Sequence, residues 1–383
     1  MKKIFIILGL IILIIVGAVW AYLFMYGVPK SADEVFARFQ SDKGTPVYVA
    51  DESTSTVVVT SESDTGTVER LRQLTTRPVA GAIGLNGLMR YVERGTGHVY
   101  DIDLQNGEER IVSGTTIPKT VRAVFAPSGD QLALTTITNG GEEVIVGVLG
   151  GGGEGFVGNA LPDGAREVAF TDASSTLSYY LPSALGGTAY AFNILSKKSV
   201  ELFTTPLKDV RIAWGKETYV YTTPTAMQKG YVYRIQGGTL GYLTGGESGL
   251  LAVPYRGGVV VTKNSEQGLS STDITHDAPI PLIALIPEKC FASVAQEGVL
   301  YCGVPRVFDT RNKFPDDWYK GVVTFSDVLY RVNAPSSTVQ VLSNLEEESG
   351  RSIDIAFLGA HSQSWLLYFI NKNDNTLWAF DLR

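Results

Sequence analysis

The sequence predicts an all-β fold, a seven-bladed β-propeller of four-stranded antiparallel blades, preceded by one transmembrane helix. Three observations carry this. After Gly44 no long helical pattern occurs, and short apolar runs alternate with turn signals instead. Those runs recur at a near-constant interval. Before them lies one apolar stretch long enough to cross a bilayer. The composition agrees: 41 Gly and 16 Pro supply turns, and 18 Tyr and 16 Phe supply strand-forming side chains.

The clearest repeat unit is Arg122-Ala123-Val124-Phe125, the turn Ala126-Pro127-Ser128-Gly129-Asp130, then Gln131-Leu132-Ala133-Leu134. It reads as strand, turn, strand. Taking Leu88, Leu132, Leu177, Tyr219, Val259, Val299 and Leu366 as equivalent points gives intervals of 44, 45, 42, 40, 40 and 67 residues. All but the last match one propeller blade of about 40–50 residues. A third strand follows in several units, as in Val99-Tyr100-Asp101-Ile102-Asp103, and a fourth follows a polar turn, as in Glu109-Arg110-Ile111-Val112 after Asn106-Gly107. Asn-Gly is a strong hairpin signal.

The seventh unit reaches Arg383 after its third strand. The segment Val68 to Leu74 resembles a fourth strand and precedes the first unit, so it is expected to complete the last blade and close the ring. The domain plan is therefore a cytoplasmic stub and membrane anchor over 1–30, a juxtamembrane linker over 31–65, and a propeller over 66–383. The linker is expected to hold a short helix, from a Ser31-Ala32-Asp33-Glu34 capping box, and a possible hairpin over 45–62.

Phe125 to Ala133 resembles the Phe-Ser-Pro-Asp-Gly motif of TolB-like and WD40-like propeller repeats. The resemblance implies a propeller over roughly the last five-sixths of the chain. The recurring Gly-His and Trp-Asp signatures of WD40 repeats are absent, with Gly-His found only at Gly97-His98, and a shared fold does not transfer a function.

Lys2 and Lys3 precede an apolar run from Ile4 to Tyr26, with no charge until Lys30. About 20 residues span a bilayer, and basic residues stay on the cytoplasmic side. The expected location is the cell membrane, single-pass, N-terminus cytoplasmic and bulk extracytoplasmic. Cleavage near the small residues Val19 and Ala21, which would release a secreted protein, is the alternative. The formal net charge of -7 opposes nucleic-acid binding.

The long interval places an insertion in the sixth unit, between Val304 and Val328. It contains Phe308, Arg311, Phe314, Asp316, Asp317, Trp318 and Tyr319. Aromatics with Arg are common interface anchors, so these are the candidate binding residues. The alternative is an insertion that folds back and plugs the ring's channel. The acidic run Glu346-Glu347-Glu348 reads as a solvated loop.

Cys290 and Cys302 flank the Gln296-Glu297-Gly298 turn on adjacent strands. An exported location favours a disulfide, whereas a register slip of one would point them apart. Neither lies in a CxxC pair, and Asp101, Asp103 and Asn106 lack the Gly and Glu of a calcium loop, so no metal and no cofactor is expected. His98, His276 and His361 sit in no catalytic motif, and neither G-x-S-x-G nor H-E-x-x-H occurs. The expected role is a membrane-anchored binding or scaffold module for a protein or an envelope polymer. The alternative is an exported propeller enzyme, a hydrolase or lyase on glycans, with a site dispersed in the central channel.

Overall fold

Seven four-stranded antiparallel sheets are arranged as the blades of a propeller. The computed structural model describes residues 69–383 apart from 151–154, 171–174, 266–267, 282–283, 310 and 362–364. The apolar run 4–26, the short helix expected after Ser31 and the hairpin expected over 45–62 lie outside the described residues. Among the described residues no helix is long and apolar enough to cross a membrane.

The first blade holds β2 (Val79–Leu85), β3 (Leu88–Glu93), β4 (Val99–Asp103) and β5 (Glu109–Ser113). The second holds β6 (Thr120–Phe125), β7 (Gln131–Thr138), β8 (Gly141–Leu149) and β9 (Phe156–Ala160). The third runs from β10 (Arg166–Phe170) through β11 (Thr176–Ser183) and β12 (Gly186–Asn193) to β13 (Lys198–Thr205). The fourth comprises β14 (Val210–Ala213), β15 (Tyr219–Thr222), β16 (Lys229–Gln236) and β17 (Thr239–Ser248). The fifth comprises β18 (Leu251–Tyr255), β19 (Gly258–Ser265), β20 (Gly268–Asp273) and β21 (Ala278–Ile280). The sixth is β22 (Cys290–Ala292), β23 (Val299–Pro305), β24 (Asp327–Asn333) and β25 (Thr338–Asn344).

The seventh blade draws on both ends of the described chain. β26 (Ile355–Ala360), β27 (Leu366–Asn371) and β28 (Leu377–Asp381) are joined by β1 (Leu71–Gln73). Leu71 faces Phe380, Arg72 faces Ala379 and Gln73 faces Trp378. The closing strand is thus three residues long, toward the C-terminal end of the segment 68–74, and Val68 is outside the described residues.

Each blade is buried against the next by its own apolar cluster. Ala80, Val92 and Val99 of the first blade pack with Ala123, Phe125 and Leu132 of the second. Met89, Tyr91 and Ile102 of the first pack with Tyr368, Ile370 and Leu377 of the seventh, so the closing joint is built like the others. This explains why the strands read as alternating apolar runs with apolar residues on both faces: each sheet packs on two neighbours. The first strands line the axis, with β2 against β6, β6 against β10, β18 against β22 and β22 against β26. Their approach is close: a side chain at Gly81 would meet the Ala123 carbonyl oxygen at 2.1 Å. Gly129 ends the Pro127-Ser128 turn at φ 76°, where only glycine sits without strain.

The Glu346–Glu348 run differs from expectation. It lies in a short helix, α2 (Leu345–Ser349), not a loop. Leu345 is fully buried in the joint between blades six and seven, and Gly350 ends the helix in the left-handed region. A single apolar anchor therefore orders the acidic turn.

Candidate axial site beneath the sixth-blade insertion

The insertion folds back over the ring. A short helix, α1 (Asp316–Tyr319), forms its centre. Phe314, Trp318 and Phe325 are buried with Leu251 and Ile286, and Phe308 packs against them. Phe314 and Trp318 therefore fix the insertion to the propeller and present no surface to a partner. Hydrogen bonds spread the attachment over four blades. Asp316 accepts from the Thr225 hydroxyl at 2.9 Å and from the Ala226 N–H at 2.6 Å, both of the fourth blade. Asn264 of the fifth donates to the Phe314 carbonyl at 3.2 Å. Tyr319 donates to Glu288, at the entry to the sixth. The Trp318 indole donates to Asp354 of the seventh, and Lys372 donates to the Trp318 carbonyl. Asp317 accepts from the Lys313 N–H at 2.9 Å and so caps the turn into α1. Of the candidate binding residues, Arg311 is the most open, with its side chain 88 % exposed and held by Asp309.

Beneath Tyr319 lies a charged cluster on the axis. Arg211 on β14 reaches Glu167 on β10 at 3.5 Å and Glu288 at 2.7 Å. Glu288 belongs to the sixth blade, so Arg211 crosses past the fifth, which is possible only near the axis. Burial opposes the charge on Arg211, but Glu167 and Glu288 outweigh it and hold its pKa above the ordinary value. Burial also pushes the Tyr319 hydroxyl well up, reinforced by Glu288, so it stays a neutral donor.

A second cluster lies under Trp318. Lys289 ends a 3-10 turn (Pro287–Lys289) and is fully buried. Its Nζ donates to Asp327 at 2.5 Å and to Asp354, both also fully buried, and lies over the Trp318 and Phe325 rings. Burial drives the Asp327 pKa up to about 6, against the pull of Lys289. None of the three was singled out in the sequence. The available signal was Lys289 within the apolar stretch 280–292, and Asp354 inside Ile353-Asp354-Ile355, where a strand at a blade joint should carry no charge.

Cys290 and Cys302 are register partners on β22 and β23, with Cα atoms 4.1 Å apart, and are joined by a disulfide. The histidines serve local structure. His276 contacts Asp273 at 2.8 Å and Tyr255 at 3.1 Å within the fifth blade. His98 contacts the Thr116 hydroxyl, and His361 reaches the Leu85 carbonyl across the closing joint. Asp101 is buried on its strand, and Arg90 and Arg110 both pair with its carboxylate. Among the described residues no group of three or more His, Cys, Asp or Glu is placed to hold a metal ion.

No family model matches the chain, and no curated protein matches it. Solved structures do resemble its fold. The β-propeller domain of the Trilobed protease from Pyrococcus furiosus, a propeller of open velcro topology, superposes with a TM-score of 0.52 at 13 % identity, covering 80 % of this chain and 96 % of that one. The propeller domain of Cps50 (Swd1) from Myceliophteria thermophila gives 0.53 at 10 % identity, with 82 % and 100 % covered. The acylaminoacyl peptidase of Pyrococcus horikoshii gives 0.50 at 11 % identity, with 79 % of this chain and 51 % of that one covered. At these identities the likeness establishes the propeller fold and nothing finer.

Proposed function

We propose that this chain is a membrane-anchored, extracytoplasmic propeller that binds a protein or envelope polymer as a scaffold module. The observation that carries the reading is an open groove of ≈ 570 Å³ beside the insertion, lined by Arg306, Val307, Phe325, Glu346 and Glu347. Val307, in its lining, is 75 % exposed. An apolar rim with a few charges of both signs suits an extended peptide or sugar segment. The disulfide and the Lys2-Lys3 pair before the apolar run 4–26 support an exported, anchored domain.

An exported hydrolase or lyase acting on glycans is the rival proposal. It requires carboxylates near the axis that are free to act as acid and base. Glu167 and Glu288 are both engaged by Arg211, which favours binding over catalysis.

The test is photo-crosslinking in intact cells from a probe at position 307, with a reporter fused after Arg383 to read which side it occupies. The reading expects an adduct that Glu347→Lys, in the groove lining, diminishes and a reporter active outside the cytoplasm. A cytoplasmic reporter, or an adduct indifferent to Glu347→Lys, would overturn it.

A further inference from the structure

The buried trio of Lys289, Asp327 and Asp354 is an unusual arrangement for a simple ion pair. Two carboxylates and one ammonium share a fully buried site, with the partly buried Lys372 also acting on Asp354, and low-dielectric surroundings oppose the charge on Asp327. The two carboxylates differ in their partners. Asp354 accepts from the Trp318 indole, from the Phe325 N–H at 3.1 Å and from Lys289, so both its oxygens have donors. Asp327 accepts from Lys289 and, at 2.7 Å, from the Ile355 N–H, both through Oδ2. Its Oδ1 is buried and, among the described residues, has no hydrogen-bond partner. That is the environment of a protonated carboxylic acid: Oδ2 is the carbonyl oxygen, polarised by a backbone donor, and Oδ1 is the hydroxyl.

We propose that Lys289 and Asp327 are the two ends of an amide crosslink that the chain forms within itself, with Asp354 carrying the protons. The three groups are held together with none of their surface exposed, as such a condensation favours. The ammonium of Lys289 first gives a proton to the Asp354 carboxylate and becomes a neutral amine. Nζ attacks Cγ of protonated Asp327, and the charge that develops on Oδ2 is met by the Ile355 N–H. Asp354 delivers its proton to the departing Oδ1 hydroxyl, and one water leaves as the C–O bond breaks. The proton shed by Nζ as the C–N bond completes returns to Asp354, which ends neutral. No oxidant, metal or activated donor is needed. The raised pKa of Asp327 agrees with the acid form that the attack needs.

The crosslink would tie the entry of the sixth blade to the start of β24, closing a loop that contains both the disulfide and the insertion. It is independent of the binding role proposed above. The test is tandem mass spectrometry of the full-length chain after reduction, alkylation and digestion with trypsin. The proposal expects peptide 264–306, uncut at Lys289, joined to peptide 321–331, with a mass one water below the sum of the two. Lys289→Met and Asp354→Asn should yield separate peptides, with circular dichroism confirming that each variant folds. Recovery of free 264–289 and 321–331 from the wild-type chain would overturn the proposal and leave an ion triad. A joined peptide that persists in Asp354→Asn would overturn the role of Asp354, and a link from Lys289 to peptide 352–372 would overturn that of Asp327.

Discussion

The indole Nε1 of Trp318 donates to both carboxylate oxygens of Asp354, each at 3.1 Å, and so joins the sixth-blade insertion to the first turn of the seventh blade. Trp318 is 3 % exposed and packs on Phe314 and Phe325 as well. Its removal therefore opens a cavity and strips a buried carboxylate of a donor. Trp318→Ala is expected to lower stability by about 3–5 kcal/mol. Trp318→Phe keeps most of the volume and should cost about 1–3 kcal/mol through the lost hydrogen bonds. Chemical denaturation checks the order, and a Trp318→Phe variant as stable as the wild type would show that the indole N–H contributes nothing.

The disulfide between Cys290 and Cys302 spans two adjacent strands and closes a short loop of 12 residues. Constraining so short a loop stabilises the fold by about 3 kcal/mol. The double variant Cys290→Ser, Cys302→Ser should melt at lower temperature yet keep the same sheet content by circular dichroism. Thiol labelling of the unreduced, denatured wild type should find no free cysteine; full labelling of both would show that the bond does not form in the native protein.

The ring was legible because blade spacing survives in the turns even where the motif has decayed. Leu88 to Val299 keep their intervals although only Phe125 to Ala133 carries a recognisable signature. The direction of the insertion was not legible. Phe314 and Trp318 are separated by Pro315-Asp316-Asp317, and that alternation of apolar and acidic residues reads the same for an exposed patch as for an inward cap. What decides it is Thr225 and Ala226, from the fourth blade, which satisfy Asp316 and so allow a buried helix with an acidic start. The Lys289 trio was hidden for a related reason. Its members lie 38 and 65 residues apart and meet only when the sixth and seventh blades pack. Likewise, Glu346-Glu347-Glu348 reads as a loop because Leu345, the residue that orders it, finds its pocket only in that joint.

Ring closure rests on three residue pairs between β1 and β28, together with the bond from the Leu74 N–H to the Leu377 carbonyl at 2.8 Å. Leu71 is the apolar member that faces inward, in one cluster with Phe380 and Trp378. Leu71→Asp should place an unpaired carboxylate in that joint and loosen the seventh blade first. Amide hydrogen exchange is expected to rise in β28 well before it rises in the second and third blades. Uniform acceleration through all blades would show that the ring unfolds as one unit with no weak joint at its closure.

Asp316 gives the insertion a pH dependence whose sign is fixed by its partners. Burial alone would raise its pKa, but the Ala226 N–H, the Thr225 hydroxyl and Lys320 outweigh that and lower it. A carboxylate whose folded pKa is depressed contributes stability that is present above its unfolded pKa of about 3.9 and disappears as the pH falls through the folded value. Asp316→Asn keeps the shape but loses the charge and should cost about 1–2 kcal/mol at neutral pH. The gap between wild type and variant should then shrink steadily as the pH drops below about 4, since a protonated Asp316 carboxyl and the amide that replaces it are alike neutral. Urea denaturation across a pH series measures that gap. A difference that stays constant down to the acid limit would mean that the hydrogen bonds to Thr225 and Ala226, and not the ionised state of Asp316, hold the insertion on the fourth blade.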